Sequence, residues 1–329
     1  MSLLQSLKND SLNALDCLIV GGGPAGMTAA LYLARFRRLA LVVDEGDPRA
    51  AWIPTSHNIP FFADGIPGPE ILARVREHAG RYGVSPLDGR VSALRKSGRE
   101  GFRAEVETRD GNCEVQARRV LLATGGIDVE PELPDLPDAV RRGLVRYCPI
   151  CDGFESRDSR IAVIGHGTRG LGEAAFIART YSDDVTLLTL GRPLELLPPE
   201  RALVEQHRIR LVDEPIAGLD VQDGRIAAMR TCGGAELRFD ILYSALGLTY
   251  RSGLAGALGA ERDAAGAVLV DANCQTTVKG LYAVGDVALG LDQIVVGMGH
   301  AAVAATHIHN HCAPPIEDEP ACIGSASRE

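Results

Sequence analysis

The strongest constraint on the fold is a Gly-x-Gly-x-x-Gly turn that occurs twice, each time between a short apolar run and a helical pattern. The glycines are Gly21, Gly23 and Gly26 in the first turn and Gly165, Gly167 and Gly170 in the second. In such turns the first glycine permits a tight bend, the second lets the backbone approach a pyrophosphate, and the third lets helix and strand pack closely. Two copies in 329 residues predict two nucleotide-binding domains.

The pattern around each turn is also repeated along the chain. The first copy has apolar runs at 14–20 and 39–43, a helical pattern at 27–36, an alternating meander at 91–118 and a buried strand at 120–123. The second has the same order at 161–164, 171–180, 185–189, 217–237 and 241–245. A strand at 281–284 and a helix at 294–309 would complete the first domain.

These repeats predict an α/β fold with two Rossmann-like (three-layer ββα) nucleotide-binding domains, the second inserted into the first. The proline-rich stretch 128–138 is the expected linker. The expected boundaries are 1–126 for the first part of the first nucleotide-binding domain, 127–247 for the inserted second domain, 248–313 for the second part of the first domain and 314–329 for a flexible tail.

Charge and hydropathy exclude several classes of partner. With 34 basic and 43 acidic residues the formal net charge is −9, which argues against nucleic acid and against an acidic membrane surface. No run approaches the roughly 18 apolar residues of a membrane helix, and no apolar signal-peptide core precedes Asp16. We therefore expect a cytoplasmic protein that binds neither nucleic acid nor membrane.

A Cys148-Pro149-Ile150-Cys151-Asp152 segment lies between the two turns and is the main candidate for chemistry. The two-residue spacing lets both sulfurs meet at a helix N-terminus, where thiolate is favoured. A zinc site would need a second such pair, and the other cysteines are scattered at Cys17, Cys113, Cys232, Cys274, Cys312 and Cys322. A redox dithiol follows, with Asp152 placed to take or give the proton that thiol–disulfide exchange requires.

The two nucleotide turns differ in the residue that follows the next strand. Asp44 ends the strand after the first turn, where an acid would bond the ribose hydroxyls. After the second turn the strand leads into Thr189-Leu190-Gly191-Arg192, which contains no acid. Two interpretations stay open: Arg192 meets a 2′-phosphate, or the second domain keeps the scaffold without binding a nicotinamide nucleotide.

Several motifs, taken in order, resemble low-molecular-weight thioredoxin reductases over the chain to about residue 312. They are the glycine turn at 21–26, the loop around Asn58, the Ala123-Thr124-Gly125 turn, Gly285-Asp286, Gln293 and the CxxCD segment. The resemblance implies a homodimeric FAD enzyme that reduces thioredoxin or a thioredoxin-like disulfide protein. It assigns FAD to Gly21, Gly23, Pro24, Ala25, Gly26, Asp44, Asn58, Val91, Ala123, Thr124, Gly125, Gly285, Asp286, Gln293 and Ile294.

The same resemblance implies separate roles at the dithiol. Cys151 would be the flavin-side sulfur, Cys148 would attack the partner disulfide, and Asp152 would be the acid–base. The NADPH-reading His-Arg-Arg run of the family is absent here, and Arg169-Gly170 replaces its Ser-Ala pair. The chain is thus similar to divergent branches with degraded NADPH recognition, which leaves the donor open between NADPH, NADH, ferredoxin and a dithiol. A small-molecule dithiol oxidase using oxygen and a flavin-based redox sensor are the alternative functions.

The histidines near the end of the chain form a further suggestive cluster. His307, His309 and His311 lie on the last helical pattern beside Cys312. A metal site would need an acid or a supporting partner, and none is evident. We interpret the cluster as a solvated helix end and predict no metal.

Overall fold

The computed structural model describes residues 15–98, 101–134 and 143–312. The predicted tail, Cys322 and residues 135–138 of the proline-rich linker lie outside the described residues. The chain divides into two compact units. Unit 1 takes in the chain to Ala51, Gly68–Ile127 and the chain from Thr249, and unit 2 takes in Trp52–Pro67 and Asp128–Leu248. The domain boundaries expected from the sequence stay a prediction.

Both units contain strands and helices. The strands are β1 (Leu15–Val20), β2 (Ala40–Asp44), β3 (Leu87–Asp88), β4 (Arg90–Ser97), β5 (Gly101–Thr108), β6 (Gly111–Leu122), β7 (Gly126–Asp128), β8 (Ile161–Ile164), β9 (Val185–Leu188), β10 (Arg210–Val212), β11 (Ile216–Gln222), β12 (Arg225–Thr231), β13 (Glu236–Leu237), β14 (Ile241–Ser244), β15 (Leu248–Tyr250) and β16 (Leu281–Ala283). The α-helices are α1 (Pro24–Arg35), α2 (Gly68–Gly80), α3 (Pro149–Asp152), α4 (Gly167–Thr180), α5 (Pro198–Gln206), α6 (Gly253–Ala257) and α7 (Ile294–Asn310).

Unit 1 is built on a sheet of order β3-β2-β1-β6-β5-β4, with β16 paired to β6. Strands β1, β2, β3, β6 and β16 are parallel, and β4, β5 and β6 form an antiparallel meander. Strand β1 is buried at every position, and its alternate side chains point to opposite faces. Leu18 packs with the meander residue Phe102, while Ile19 packs with Met27 of α1 and Ala304 of α7.

One feature of unit 1 differs from the sequence prediction, which separated the meander at 91–118 from a buried strand at 120–123. The structure has the single strand β6 across both. Its first half pairs with β5, and its second half pairs with β1 and β16. The two join because Arg119, the one residue between them, is not a turn-forming Gly or Pro.

Unit 2 repeats this three-layer plan around a shorter sheet. Its parallel sheet has the order β10-β9-β8-β14, and β11, β12 and β13 form a separate antiparallel sheet. Ile161 and Val163 of β8 pack with Leu171 of α4, whereas Ile164 packs on the opposite side with Met229 of β12. Both Gly-x-Gly-x-x-Gly turns therefore lie at the carboxyl end of a central buried strand, where α/β sheets place their ligands.

Candidate active site

The Cys148–Cys151 pair is a disulfide within unit 2. Cys148 caps α3, Pro149 occupies its first turn, and the two Cα atoms are 5.3 Å apart. Proline suits this place because the first turn of a helix leaves its N–H groups without partners inside the helix. Both sulfur-bearing residues are half-buried, and Ile150 between them is 45% exposed.

The segment that enters α3 is fixed to the edge of the parallel sheet. The Arg146 N–H donates to the Leu242 carbonyl at 2.8 Å, and the Ser244 N–H donates to the Arg146 carbonyl at 2.7 Å. Arg146 thereby pairs with Tyr243 of β14 as a short parallel bridge. The chain two residues before the disulfide is held by main-chain bonds and is not a free loop.

Asp152 is the centre of a side-chain hydrogen-bond network beside the disulfide. Arg146 Nη1 donates to its Oδ2 at 2.9 Å, and the Tyr243 hydroxyl donates to its Oδ1 at 2.9 Å. The Ser156 hydroxyl lies 3.0 Å from the Tyr243 oxygen and donates to the Asp152 carbonyl at 3.1 Å. Tyr243 and Ser156 are fully buried. The carboxyl is therefore held on both oxygens.

Opposing influences act on the Asp152 carboxyl. Burial raises its pKa above the ordinary value, while the Arg146 charge and the hydrogen bonds from Tyr243 and Arg146 lower it. The pKa of Tyr243 is itself raised, first by burial and then by the adjacent Asp152 charge. The phenol consequently keeps its proton and remains a donor to the carboxylate.

An open cavity of about 350 Å³ borders both sulfurs. Its lining residues are Trp52, Ile53, Pro54, Thr55, Gly143, Val145, Arg146, Tyr147, Cys148, Cys151 and Asp152. This volume includes space that is open to solvent. A group bound there would lie against the disulfide and close to a protonatable carboxyl.

The loop around Asn58 lies against the disulfide helix within unit 2. The His57 N–H donates to the Cys151 carbonyl at 3.1 Å, and the Asn58 side chain donates to the Ile150 carbonyl at 3.3 Å. Ser56 in turn donates to the Asn58 oxygen at 2.9 Å. The residue predicted on the flavin side is thus placed beside the dithiol.

The first glycine turn has the geometry that a pyrophosphate cradle requires. A Cβ on Gly21, whose φ is +107°, would lie 2.8 Å from the Ala123 carbonyl carbon. A Cβ on Gly26 would overlap the Gly21 carbonyl oxygen. In contrast, the nearest atom to a Cβ on Gly23 is 3.9 Å away. Gly21 and Gly26 are needed for packing, whereas Gly23 faces open space that a phosphate can occupy, so the turn fits FAD.

Asp44 lies at the end of β2, as the sequence predicted. Its Oδ1 accepts the Gly22 N–H at 2.9 Å, and its Oδ2 accepts from Arg76 of α2 at 2.9 Å. The acid therefore contacts the glycine turn directly and is oriented by a cation that sequence reasoning did not identify.

Two of the other predicted FAD residues of unit 1, Ala123 and Gly285, lie against the same turn. A Cβ on Gly285 would lie 3.1 Å from the Ala25 side chain, so the Gly285-Asp286 turn meets the start of α1. Asp286 pairs with Arg49 at 3.1 Å. Thr124 bonds the Arg251 carbonyl at 2.7 Å.

The remaining predicted FAD residues lie at helix starts, in a turn and in the core of unit 1. Gln293 caps α7, which begins at Ile294, and Pro24 begins α1. Gly125 has φ +66° and nothing within 4 Å of an added Cβ. The Val91 side chain belongs to the core at 6% exposure, so only its backbone can meet a ligand.

The second glycine turn keeps the backbone geometry but not the ribose acid. A Cβ on Gly165 would lie 2.6 Å from the Gly170 Cα, while Gly167 has φ +55° and open space around it. After β9 come Thr189, which is buried, and Arg192, whose charge together with burial lowers the pKa of His166. The backbone can approach a phosphate, but no carboxylate occupies the ribose position.

The predicted histidine cluster is engaged in local packing. His307 Nδ1 shares a hydrogen bond of 2.8 Å with the Tyr282 hydroxyl, and its ring stacks on His311. His309 stacks on Phe36. In residues 15–98, 101–134 and 143–312 no group of three or more His, Cys, Asp or Glu side chains is placed to hold a metal ion. No helix in those ranges is long and apolar enough to cross a membrane.

Sequence reasoning missed the partners that surround the predicted acids: Arg146, Ser156 and Tyr243 at Asp152, Arg76 at Asp44, and Arg49 at Asp286. Arg146 precedes Cys148 by two residues, so its position near the motif is the one available signal. Tyr243 lies 91 residues from Asp152, and nothing in its own neighbourhood indicates the contact.

Known proteins are similar to this chain over most of its length. The model of the pyridine nucleotide-disulphide oxidoreductase family matches residues 15–307. Thioredoxin reductase of Bacillus subtilis (strain 168) is 27% identical over 306 residues, which are 90% of this chain and 94% of that protein.

One further relative and one solved structure are also similar to this chain. An alkyl hydroperoxide reductase component of Pseudomonas putida is 29% identical over 322 residues, which are 93% of this chain but 60% of that protein. The chain thus spans less than two thirds of that relative's length. The crystal structure of HlmI matches with a TM-score of 0.80 and 29% identity, covering 90% of this chain and 92% of that one. These likenesses confirm the predicted fold class.

Proposed function

The chain belongs to the pyridine nucleotide-disulphide oxidoreductase family and is an oxidoreductase of the thioredoxin reductase kind, and from this we propose its electron path. Electrons pass through FAD to the Cys148–Cys151 pair and on to thioredoxin or a similar disulfide protein. The observation that carries the proposal is the disulfide itself, which closes at the start of α3 beside the half-buried Asp152 carboxyl. FAD, when bound, supplies the electron pair that opens this disulfide to the dithiol.

We propose the following sequence of bond changes at the dithiol. The Cys148 thiolate attacks one sulfur of the partner disulfide, so that a mixed disulfide forms and the other partner sulfur leaves with the electron pair of the broken bond. Asp152 gives its proton to that leaving sulfur. Cys151, as thiolate, then attacks the Cys148 sulfur, closes the internal disulfide and releases the second partner thiolate, which takes up a proton. Two electrons and two protons have then moved to the partner.

FAD would be held by the residues of the first glycine turn and by those that converge on it. The open space at Gly23 supports contact of the backbone with the pyrophosphate, and the start of α1 directs N–H groups toward it. Asp44 would bond the ribose, with Arg76 and Gly22 orienting its carboxylate. Gly285, Asp286 and Gln293 would complete the site by resemblance.

Replacing Asp44 is expected to weaken FAD binding without unfolding the protein. In Asp44→Ala the ribose partner and the acceptor of the Gly22 N–H are both lost, so a loss of at least tenfold in affinity follows from removing hydrogen bonds to a charged group, about 1.5–3 kcal/mol each. Equilibrium dialysis of FAD with absorbance measures it. Arg76→Met is the matched comparison, with a smaller loss expected. Full retention of FAD by Asp44→Ala would show that another group holds the ribose.

For the electron donor we propose a carrier other than NADPH, with reduced ferredoxin as the first candidate. In the sequence after β9, the absence of a second cation beside Arg192 argues against NADPH, and the absence of a carboxylate argues against NADH. Anaerobic mixing of the oxidised holoprotein with NADPH, NADH or reduced ferredoxin, followed by flavin absorbance, tests it directly. Bleaching by ferredoxin alone is expected. Rapid bleaching by NADPH would contradict this assignment and would leave the disulfide-reductase proposal intact.

A small-molecule dithiol oxidase is the second candidate, and the cavity beside both sulfurs favours it. In that direction a substrate dithiol loses two electrons and two protons to close a disulfide, and oxygen receives them as hydrogen peroxide. The reaction would consume oxygen with dithiols and would not need a donor. Bleaching by a dithiol and by none of the three donors would support the oxidase. Inertness toward all of them would support the redox sensor.

The remaining parts of the proposal concern assembly and location. By resemblance we propose a homodimer in the cytoplasm, with a thioredoxin-like protein as its disulfide partner. Sedimentation of the holoprotein distinguishes a dimer from a monomer.

A further inference from the structure

We propose that Arg146 and Tyr243 are positioning residues that set the protonation and orientation of Asp152 during thiol–disulfide exchange. The proposal rests on the acid–base role proposed for Asp152 and identifies which groups control it. Both residues contact Asp152 within unit 2. Arg146 lies two residues before the CxxCD motif, and Tyr243 lies on the distant strand β14.

The two donors fix the carboxyl because each is itself immobilised. The Arg146 N–H and carbonyl both bond to the main chain of β14, at 2.8 and 2.7 Å, so the position of the Arg146 Cα is fixed. Tyr243 is fully buried in β14 and directs its hydroxyl at Asp152 Oδ1. Ser156, also fully buried, lies 3.0 Å from that hydroxyl. A carboxyl bonded on both oxygens by fixed donors has one orientation relative to the adjacent sulfurs.

The chemistry requires the carboxyl to cycle between two protonation states. As an acid it must hold a proton until the leaving sulfur needs it, and as a carboxylate it must accept one back. Burial favours the neutral form, whereas the guanidinium and the phenol favour the carboxylate. Without these donors a buried carboxyl would hold its proton too firmly, so the donors set the pH range over which Asp152 can exchange it.

Two other titratable groups, Glu155 and Tyr181, lie near Asp152. Glu155 follows α3, raises the pKa of Asp152 and lies 3.7 Å from His57. Tyr181 at the end of α4 has its own pKa raised, first by burial and then by Glu155 and Asp152. Neither residue makes a hydrogen bond with the Asp152 carboxyl in the described part of the chain, whereas Arg146 and Tyr243 do.

The experiment compares two disulfide substrates in single turnovers of the dithiothreitol-reduced holoprotein. Bis(2-hydroxyethyl) disulfide releases a basic alkyl thiolate that needs a proton, whereas 5,5′-dithiobis(2-nitrobenzoate) releases an acidic aromatic thiolate that does not. The quantity compared is the rate with the alkyl disulfide divided by the rate with the aromatic disulfide. Ionisation of the attacking sulfur affects both rates equally and therefore cancels in this ratio. The ratio therefore reports the acid alone, and it falls as pH rises through the titration of Asp152.

The variants are Arg146→Met, Arg146→Lys and Tyr243→Phe. We expect the midpoint of the rate ratio to move to higher pH in Arg146→Met, and in the same direction in Tyr243→Phe, because each loses a donor to the carboxylate. Arg146→Lys keeps the charge and should move the midpoint less than Arg146→Met. Arg160→Met is the matched control, since it removes an Arg–carboxylate pair with Asp240 elsewhere in unit 2 and should leave the midpoint unchanged.

Two outcomes separate the failure of this inference from the failure of the proposed function. Asp152→Asn should lower the alkyl rate by about 100-fold or more while sparing the aromatic rate. If it lowers neither, the acid–base role of Asp152 is wrong. If Asp152→Asn behaves as expected but Arg146→Met and Tyr243→Phe leave the midpoint where it is, the donors only maintain structure and the inference is overturned. Because Tyr243→Phe and Arg146→Lys are conservative, one of them should fold even if Arg146→Met does not.

Discussion

Replacing Cys148 by serine is expected to abolish reduction of external disulfides while leaving the protein folded with FAD bound. The serine hydroxyl is a far weaker nucleophile than a thiolate, so the loss should be on the order of a thousandfold or more. Steady-state turnover with a thioredoxin-like disulfide protein measures it. Folding is preserved because the disulfide closes a loop of four residues, whose contribution to stability is small.

Cys151→Ser is expected to trap the partner protein in a covalent adduct, which distinguishes the role of Cys151 from that of Cys148. Attack by Cys148 should still occur, but the mixed disulfide cannot be resolved, so the reduced variant should trap the partner covalently. Intact-mass spectrometry detects the adduct. Cys232→Ser, which removes an exposed thiol elsewhere in unit 2, is the matched control and should retain full turnover. Trapping by Cys148→Ser in place of Cys151→Ser would reverse the assigned roles.

Gly26→Ala should cost the protein both FAD and stability. Its Cβ would overlap the Gly21 carbonyl oxygen and lie 3.2 Å from the Ala123 side chain, so α1 must move away from the sheet. Backbone must shift to accommodate the methyl group, and the expected loss is roughly 3 kcal/mol or more in the free energy of unfolding. Thermal unfolding together with FAD content per chain measures both effects.

Two other glycines provide internal controls for this prediction. Gly23→Ala has room in the folded chain, with φ −71° at that residue, but its methyl group points into the space expected for the pyrophosphate. It should fold with near-native stability and bind FAD weakly. Gly172→Ala lies within α4 with nothing nearby and should stabilise the protein by roughly 0.5–1 kcal/mol. If Gly23→Ala and Gly26→Ala lowered the free energy of unfolding equally, the assignment of Gly26 to packing and of Gly23 to ligand contact would be wrong.

The elements that the sequence predicted well are those whose signals are local. The helix after the first turn was predicted from 27 and begins at Pro24, which proline permits at a first helical position. The strands β1, β8 and β14 are short, apolar and bounded by turns, so the sequence predicts each of them. Strand β6 was divided in two because hydrophobic pattern does not distinguish one strand that serves two partners from two strands.

The site shows the same difference between local and distant signals. The glycine spacings and the CxxC pair carry their chemistry within a few residues, so the amino-acid sequence alone determined two nucleotide turns, a closable dithiol and an adjacent acid. Only the tertiary structure decided what each acid bonds: Asp44 with Arg76, Asp286 with Arg49, and Asp152 with Arg146 and Tyr243. Arg146 is six residues from Asp152, whereas the other partners are 32 to 237 residues from their acids and are brought together by the fold. A hydrogen bond between such distant side chains leaves no periodicity in the sequence.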